Sequence, residues 1–261
     1  MRAATALNMD VFVPALVFSA LASKDADLGA YGLLAVAGVV LVLGSGLIAW
    51  PIARLSGISV RTFVPPMMFV NSGNMGIPLL VLAFGEQAMA AAVVLFLIEN
   101  VLHFSVGTRM LDRRADILGV LRTPVMLACI AGLAVNLFDV ALSELLTRPV
   151  DMLGQVSIPL MLFTLGVRLV DVNLADWRVG LLGAFVRPIS GALLAWAIAL
   201  VLALPPEQAN LLIVFAALPP AVLNAIFAER YDQEPERVAS IVLLGNAAAL
   251  ITLPAVLLLV L

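Results

Sequence analysis

The most constraining feature of the sequence is a polar break inside an apolar run. Residues 62–84 carry no charged side chain, yet residues 71–78 within them read Asn-Ser-Gly-Asn-Met-Gly-Ile-Pro. In a helix interior Gly costs about 1 kcal/mol and Pro about 3 kcal/mol relative to Ala. In hydrocarbon each unpaired backbone group costs several kcal/mol more, so a broken helix survives there only when it is buried in protein or lines a polar cavity.

Composition places this break in a membrane. The 261 residues are 63% hydrophobic and 12% charged, whereas a soluble domain is about 25% charged. We therefore expect an all-α integral membrane protein. One His and one Cys (Cys129) allow no disulfide and no metal-ligand cluster, and without a basic face we expect no nucleic-acid partner.

Nine apolar segments alternate with charged or Pro/Gly boundaries, and all but the first have the length of about 20 residues that a spanning helix needs. They are residues 7–22, 28–50, 62–84, 88–111, 124–142, 149–170, 177–204, 209–228 and 238–261. The first segment imitates a secretory signal because Ala20-Leu21-Ala22 resembles a cleavage site. Asp10 and Pro14 fit a signal peptide badly.

An internal repeat argues against a signal peptide more strongly. Residues 11–19 match residues 156–164 at an offset of 145, and the same offset carries the break at 71–78 onto 216–223, which contains Pro219-Pro220. The repeat predicts two halves, residues 1–111 with four helices and residues 122–261 with five. We therefore expect a plan of five plus five helices whose first helix is missing.

The positions of Lys and Arg predict the orientation. Eleven of them lie at one set of alternate segment ends, and only Lys24 and Arg148 lie at the other. The positive-inside rule then places the N-terminus in the cytoplasm and the C-terminus outside, in a plasma (inner) membrane. Because each repeat has an odd number of helices, the two halves insert in opposite directions. Inverted repeats with paired broken helices are typical of secondary transporters, whose substrate site lies near the midplane.

The two breaks supply the candidate substrate-binding residues. Half-helix N-termini offer free N–H groups and about half a positive charge each, which suits a carboxylate. The Asn side chains add neutral donors and acceptors, although they could instead only pair with freed backbone groups. The candidates are Asn71, Gly73, Asn74, Gly76, Pro78, Pro219, Pro220 and Asn224.

Three stretches of the chain, residues 71–80, 159–169 and 216–231, resemble the auxin efflux carrier family, which includes bacterial malate and malonate permeases. The resemblance covers essentially the whole chain. It implies two inverted repeats of five helices, a scaffold part and a transport part, two crossing broken helices and an organic anion as substrate. It also implies that Asn71 lies beside the substrate carboxylate. The chain departs from the family pattern in lacking the first helix.

Ionisable residues within the apolar segments are functional suspects. Glu99 and His103 lie four residues apart on one helix face, and a buried Glu can carry a proton. A structural Glu–His or Glu–Arg pair is an equal alternative. Arg187 could hold the substrate anion or pair with a carboxylate. Asp10 we interpret as interfacial.

These observations favour a secondary or facilitative transporter of a small carboxylate, working by alternating access in the lipid bilayer without a cofactor. H⁺ or Na⁺ as a coupling ion and a homodimer stay open, as does a non-transporting partner subunit. An intramembrane enzyme would need a metal-binding acidic pair, a Ser/His dyad or paired aspartates. No segment contains such a set, so we expect no catalytic residues.

Overall fold

A computed structural model describes residues 6–23, 28–113, 118–168 and 176–261. In this part of the chain almost all residues are helical, in eleven helices and two short 3₁₀ segments, Leu28–Tyr31 and Leu118–Arg122. The eleven helices are α1 (Asn8–Ala22), α2 (Gly32–Leu55), α3 (Val60–Met68), α4 (Ser72–Phe84), α5 (Glu86–Leu111), α6 (Pro124–Leu137), α7 (Glu144–Arg168), α8 (Trp177–Val201), α9 (Pro206–Ala216), α10 (Val222–Arg230) and α11 (Pro235–Val260). Helices α2, α5, α8 and α11 are long and apolar enough to cross a membrane. The prediction of an all-α membrane protein is confirmed.

The chain is interrupted at or beside both predicted breaks, but the first interruption is shorter than predicted: of residues 71–78 only Asn71 is non-helical, because Ser72–Gly76 is a π-helix and Pro78 lies in the first turn of the α-helix that follows, where Pro is tolerated. Helix α3 ends at Met68 and α4 begins at Ser72, while α9 ends at Ala216 and α10 begins at Val222. By contrast, Pro51, Pro188 and Pro254 lie inside continuous helices. A single Pro is tolerated in a membrane helix because neighbouring groups satisfy the freed carbonyl.

Helix starts recur at the offset of the sequence repeat. Helices α2 and α8 begin 145 residues apart, at Gly32 and Trp177, and α3 and α9 begin 146 residues apart, at Val60 and Pro206. This regularity agrees with the repeat, while the division into two inverted halves stays a prediction.

The helices form two groups. Helix α1 packs on α6 and α7, and we call these three the three-helix group. The other eight helices pack on one another, chiefly through α8 with α11 and α2 with α3, and we call them the eight-helix group. The groups meet where α1 contacts α5 and where α7 contacts α4.

Candidate functional site

The two helix breaks lie against each other. Val70 and Pro220 form an antiparallel β-bridge. The amide of Asn71 donates to the carbonyl of Pro219 at 2.8 Å, and the amide of Ala221 donates to the carbonyl of Phe69 at 3.0 Å. Each break therefore satisfies backbone groups of the other, which is how non-helical backbone is tolerated at membrane depth. We call this arrangement the crossover.

Three buried asparagines brace the crossover. Asn224 Nδ2 donates to the carbonyls of Phe69 and Ala221 at 2.9 and 3.0 Å. Asn246 Nδ2 donates to the carbonyl of Pro220 at 3.0 Å, and Asn246 Oδ1 accepts from Asn71 Nδ2 at 3.2 Å. Because Pro219 and Pro220 have no N–H, their contribution to the crossover is through carbonyl acceptors.

Two glycines allow the backbones to approach closely. A Cβ on Gly76 would stand 2.8 Å from Leu218 Cδ1, and a Cβ on Gly245 would stand 2.6 Å from Pro220 Cδ. At Gly245 the close atom belongs to the rigid Pro220 ring, so this position requires glycine if the crossover is to keep its geometry, whereas a Cβ at Gly76 would require the Leu218 side chain to shift.

A cavity of ≈ 330 Å³ lies beside the crossover, where the two helix groups meet. Its size is at the lower end of the range of small-molecule pockets, which begins at about 300 Å³. Its polar lining comes from α1, α4, α5 and the start of α6: Asn8, Asp10, Asn71, Ser72, Asn74, Glu99, Asn100, His103 and Thr123.

The N-terminal ends of three helices open on this cavity. Asn71 precedes α4, Ala221 precedes α10 and Thr123 precedes α6, and all three residues line the cavity. The first N–H groups of a helix have no intrahelical acceptor and carry a partial positive charge. In α6 the contribution is mainly the helix dipole, because Pro124 has no N–H and the N–H of Met126 donates to Thr123 Oγ1. The arrangement therefore suits a negatively charged group.

A buried group of ionisable residues forms one wall. Glu99 accepts a hydrogen bond from Ser72 Oγ. His103 Nδ1 lies 3.7 Å from Glu99 Oε1, and the His103 ring stacks on Phe69 with centroids 4.1 Å apart. Glu99 Oε1 has no hydrogen-bond partner in the described part of the chain.

Arg187 lies behind this wall and is 1% exposed. It interacts electrostatically with Glu99. Its Nε and Nη1 atoms lack a hydrogen-bond partner among the described residues. A Cβ built on Gly191 would lie within 3 Å of both Arg187 Nη1 and the Ala216 carbonyl oxygen, so these two atoms lie close to each other. The guanidinium thus lies near the C-terminal end of α9, whose partial charge is negative.

The structure divides the sequence-derived candidates into two sets. Those that line the cavity are Asn71, Gly73, Asn74, Glu99 and His103; those that belong to the crossover or lie behind it are Gly76, Pro219, Pro220, Asn224 and Arg187. Pro78 is buried in the first turn of the α-helix that begins at Ile77. Their roles in binding stay predictions.

Sequence reasoning missed several residues of the site. Asn246 is a hub of the crossover; its signal in the sequence is that Gly245-Asn246 corresponds to Glu99-Asn100 at an offset of 146, one residue more than the offset of the repeat. Asp10, interpreted as interfacial, lies on the cavity wall, together with Asn8 and Thr123. In the described part of the chain no three His, Cys, Asp or Glu side chains come together as metal ligands.

Comparison with known proteins agrees with this architecture. Residues 113–257 match the model of a family described as membrane transport protein. A protein of Rhizobium meliloti named putative malonate transporter is 26% identical over 204 residues. The matched region covers 73% of this chain and 64% of the relative, so the chain spans less than two thirds of that relative's length. A protein of Methanothermobacter thermautotrophicus named uncharacterized transporter is 24% identical over 266 residues, covering 94% of this chain and 84% of the relative.

Proposed function

The chain belongs to the membrane transport protein family, the auxin efflux carrier family, and we propose that it carries a small carboxylate across the membrane through the cavity beside the crossover. Membership makes it a multi-pass membrane transport protein and not an enzyme. Its placement in the inner membrane, with a cytoplasmic N-terminus, is part of the proposal and is supported by the distribution of Lys and Arg.

The observation that carries the proposal is the convergence of three helix N-termini on one cavity. Each N-terminus contributes about half a positive charge, so together they offer roughly 1.5 charges without any Lys or Arg side chain. The first amides of α4, at Gly73 and Asn74, add directed donors. The helix dipoles and the amide donors favour a carboxylate as the ligand.

The size of the cavity and the name of a relative support a small substrate. A volume of ≈ 330 Å³ suits a compact molecule. The Rhizobium meliloti relative is named for malonate, a three-carbon dicarboxylate. We propose malonate, malate or a similar acid as the substrate.

The position of the cavity supports alternating access. Its walls come from both helix groups, whereas the bonds of the crossover lie within the eight-helix group. A movement of one group against the other would therefore open the cavity to either side and leave the crossover intact.

Uptake by the purified protein in proteoliposomes tests the substrate class. Radiolabelled malonate, malate and acetate are offered in parallel, with a neutral sugar as the negative control. We expect saturable uptake of at least one acid and none of the sugar. Absence of uptake and of exchange for every acid, with folded protein in the vesicles, would exclude this substrate class.

Asn74→Ala tests the site itself. Asn74 lines the cavity and does not brace the crossover, so its loss should leave the fold intact. A hydrogen bond to a charged group is worth about 1.5–3 kcal/mol, which predicts a rise of KM of about tenfold or more. Asn210→Ala is the matched control, because Asn210 caps the end of α11 at Val260, away from the cavity. Equal KM values for the two variants would remove Asn74 from the site.

A further inference from the structure

The charges on the cavity wall are unfavourable for an anion. Asp10 and Glu99 line the cavity, and none of the described residues that line it is Lys or Arg. A substrate carboxylate that enters therefore adds negative charge next to two carboxylates. On the basis of the proposed function, a positive charge must therefore accompany the substrate into the cavity.

Glu99 is the group placed to accept that charge. Its side chain is 2% exposed and lies on the cavity wall, with Oε2 bonded to Ser72 and Oε1 without a hydrogen-bond partner. This oxygen is buried, lies next to the cavity and accepts no hydrogen bond from the described residues, so it is free to bind a proton.

The charged and titratable groups that face Glu99 are few. His103 lies on the same helix, with Nδ1 3.7 Å from Oε1. Arg187, from α8, interacts with it electrostatically but forms no direct ion pair in the described part of the chain. Asp10, from α1, lies on the same cavity wall. Arg187 is thus the fixed buried cation, and an uncompensated charge at such depth costs several kcal/mol.

We propose that Glu99 binds a proton when the substrate carboxylate binds, so that the two carboxylates alternate as the counter-charge of Arg187 and the protein is a proton symporter. In the empty carrier, ionised Glu99 balances Arg187. In the loaded carrier, Glu99 is protonated and the substrate carboxylate balances Arg187. The proton is taken from water on the side of entry and returned to water on the side of release.

Two consequences follow from this exchange. The net charge of the buried site is the same in the empty carrier and in the carrier loaded with a monocarboxylate, so both can change conformation. A dianion such as malonate leaves one further negative charge, which faces the helix N-termini at the cavity. Substrate and proton affinity are also linked, and by thermodynamic reciprocity each must strengthen the other by the same factor.

Proton uptake on binding is the direct test. Purified protein in detergent is mixed with malonate in weakly buffered solution at a pH where malonate is a dianion, and an indicator dye reports the proton balance. We expect the wild-type protein to take up about one proton per bound substrate. Binding without proton uptake by the wild-type protein would overturn the proposal, whatever the behaviour of variants.

Glu99→Gln separates coupling from transport. The amide mimics protonated Glu99, so we expect this variant to bind substrate independently of pH and to exchange internal for external substrate. Net uptake should be lost, because the empty carrier would hold Arg187 without a counter-charge. Glu86→Gln, an exposed residue at the start of the same helix, is the matched control and should behave as wild type.

Gradient-driven uptake distinguishes the outcomes. With the membrane potential clamped to zero, one coupled proton predicts about tenfold accumulation per unit of pH gradient, since one pH unit corresponds to about 1.4 kcal/mol. Accumulation driven by Na⁺ instead, or a Glu99→Gln variant that accumulates substrate like wild type, would overturn proton coupling at Glu99. If the wild-type protein neither binds nor exchanges any carboxylate, the proposed function itself fails. Transport without proton coupling removes only this inference.

Discussion

Asn246 is the residue on which the crossover depends most, and Asn246→Ala removes three hydrogen bonds at once. The side chain donates to the carbonyls of Pro220 at 3.0 Å and Val242 at 2.7 Å, and accepts from Asn71 Nδ2 at 3.2 Å. The bond to Val242 is local within α11. The other two join α11 to both helix breaks, and their loss leaves the Pro220 carbonyl and the Asn71 amide buried without these partners.

The expected loss of stability follows from these two groups. Each unsatisfied buried polar group costs about 1–3 kcal/mol in proteins. Hydrogen bonds between membrane helices measure lower, about 0.6 kcal/mol on average and about 1.7 at most. We therefore expect Asn246→Ala to lower the free energy of unfolding by about 2–4 kcal/mol, including the packing lost around the side chain.

Unfolding by SDS titration in mixed micelles measures this free energy, and Asn210→Ala is the control. Asn210 makes one hydrogen bond, to the carbonyl of Val260, at a helix end away from the crossover, so its loss should cost about 1 kcal/mol or less. A double-mutant cycle with Asn71→Ala should show a coupling of about 0.6 kcal/mol, up to about 1.7. Equal effects of the two single Ala variants at 246 and 210, with no coupling to Asn71, would refute the assignment of Asn246 as the brace.

Two further predictions concern the packing around the crossover. Gly245→Ala should destabilise the protein by about 1–3 kcal/mol and reduce transport, because the added Cβ would stand 2.6 Å from Pro220 Cδ. Gly32→Ala is the control, because a Cβ there meets nothing within 4 Å. In the same unfolding and uptake assays this control should change neither stability nor transport. Thr62→Val keeps the shape of a fully buried side chain but removes its hydrogen bond to Glu234. It should lower the free energy of unfolding by about 1 kcal/mol. An unchanged free energy would show that this bond does not hold the start of α3 to the loop before α11.

The helix breaks could be predicted from the sequence because their cause is local. Gly, Pro and Asn at 71–78, and the Pro pair at 219–220, lower the local helix propensity. Propensity alone does not place the break to the residue, because Ser72–Phe84 is helical and Pro65 and Pro66 lie inside α3. The offset of 145 residues suggested that the breaks correspond to each other. It gave no contact, and the pairing of Val70 with Pro220 depends on how eight helices pack.

The asparagine hydrogen bonds that brace the crossover, and the cavity wall that the three-helix group forms, could not be predicted in the same way. A lone Asn in an apolar helix, such as Asn246, has many possible acceptors, and only the packing decides that it reaches Pro220. Asp10 and Thr123 lie far from the breaks in sequence and reach the cavity because the three-helix group docks there. Local chemistry therefore predicted the part of the site made by the breaks, and tertiary contact determined the rest.

The separation of the bracing residues from most of the cavity residues has a mechanical consequence. The bonds from Asn224 and Asn246 to the backbone join only helices of the eight-helix group, whereas the cavity lies between that group and α1 and α6. A relative movement of the groups would therefore change access to the cavity without breaking the Val70–Pro220 bridge. Variants at Asn246 and Gly245 should therefore lose stability and transport together, Asn74→Ala should change affinity in a protein of normal stability, and Glu99→Gln should change coupling. The Glu99 variant tests the proposed coupling most directly, because the Glu99 carboxylate lies on the cavity wall that would contact the substrate and also faces Arg187 behind that wall.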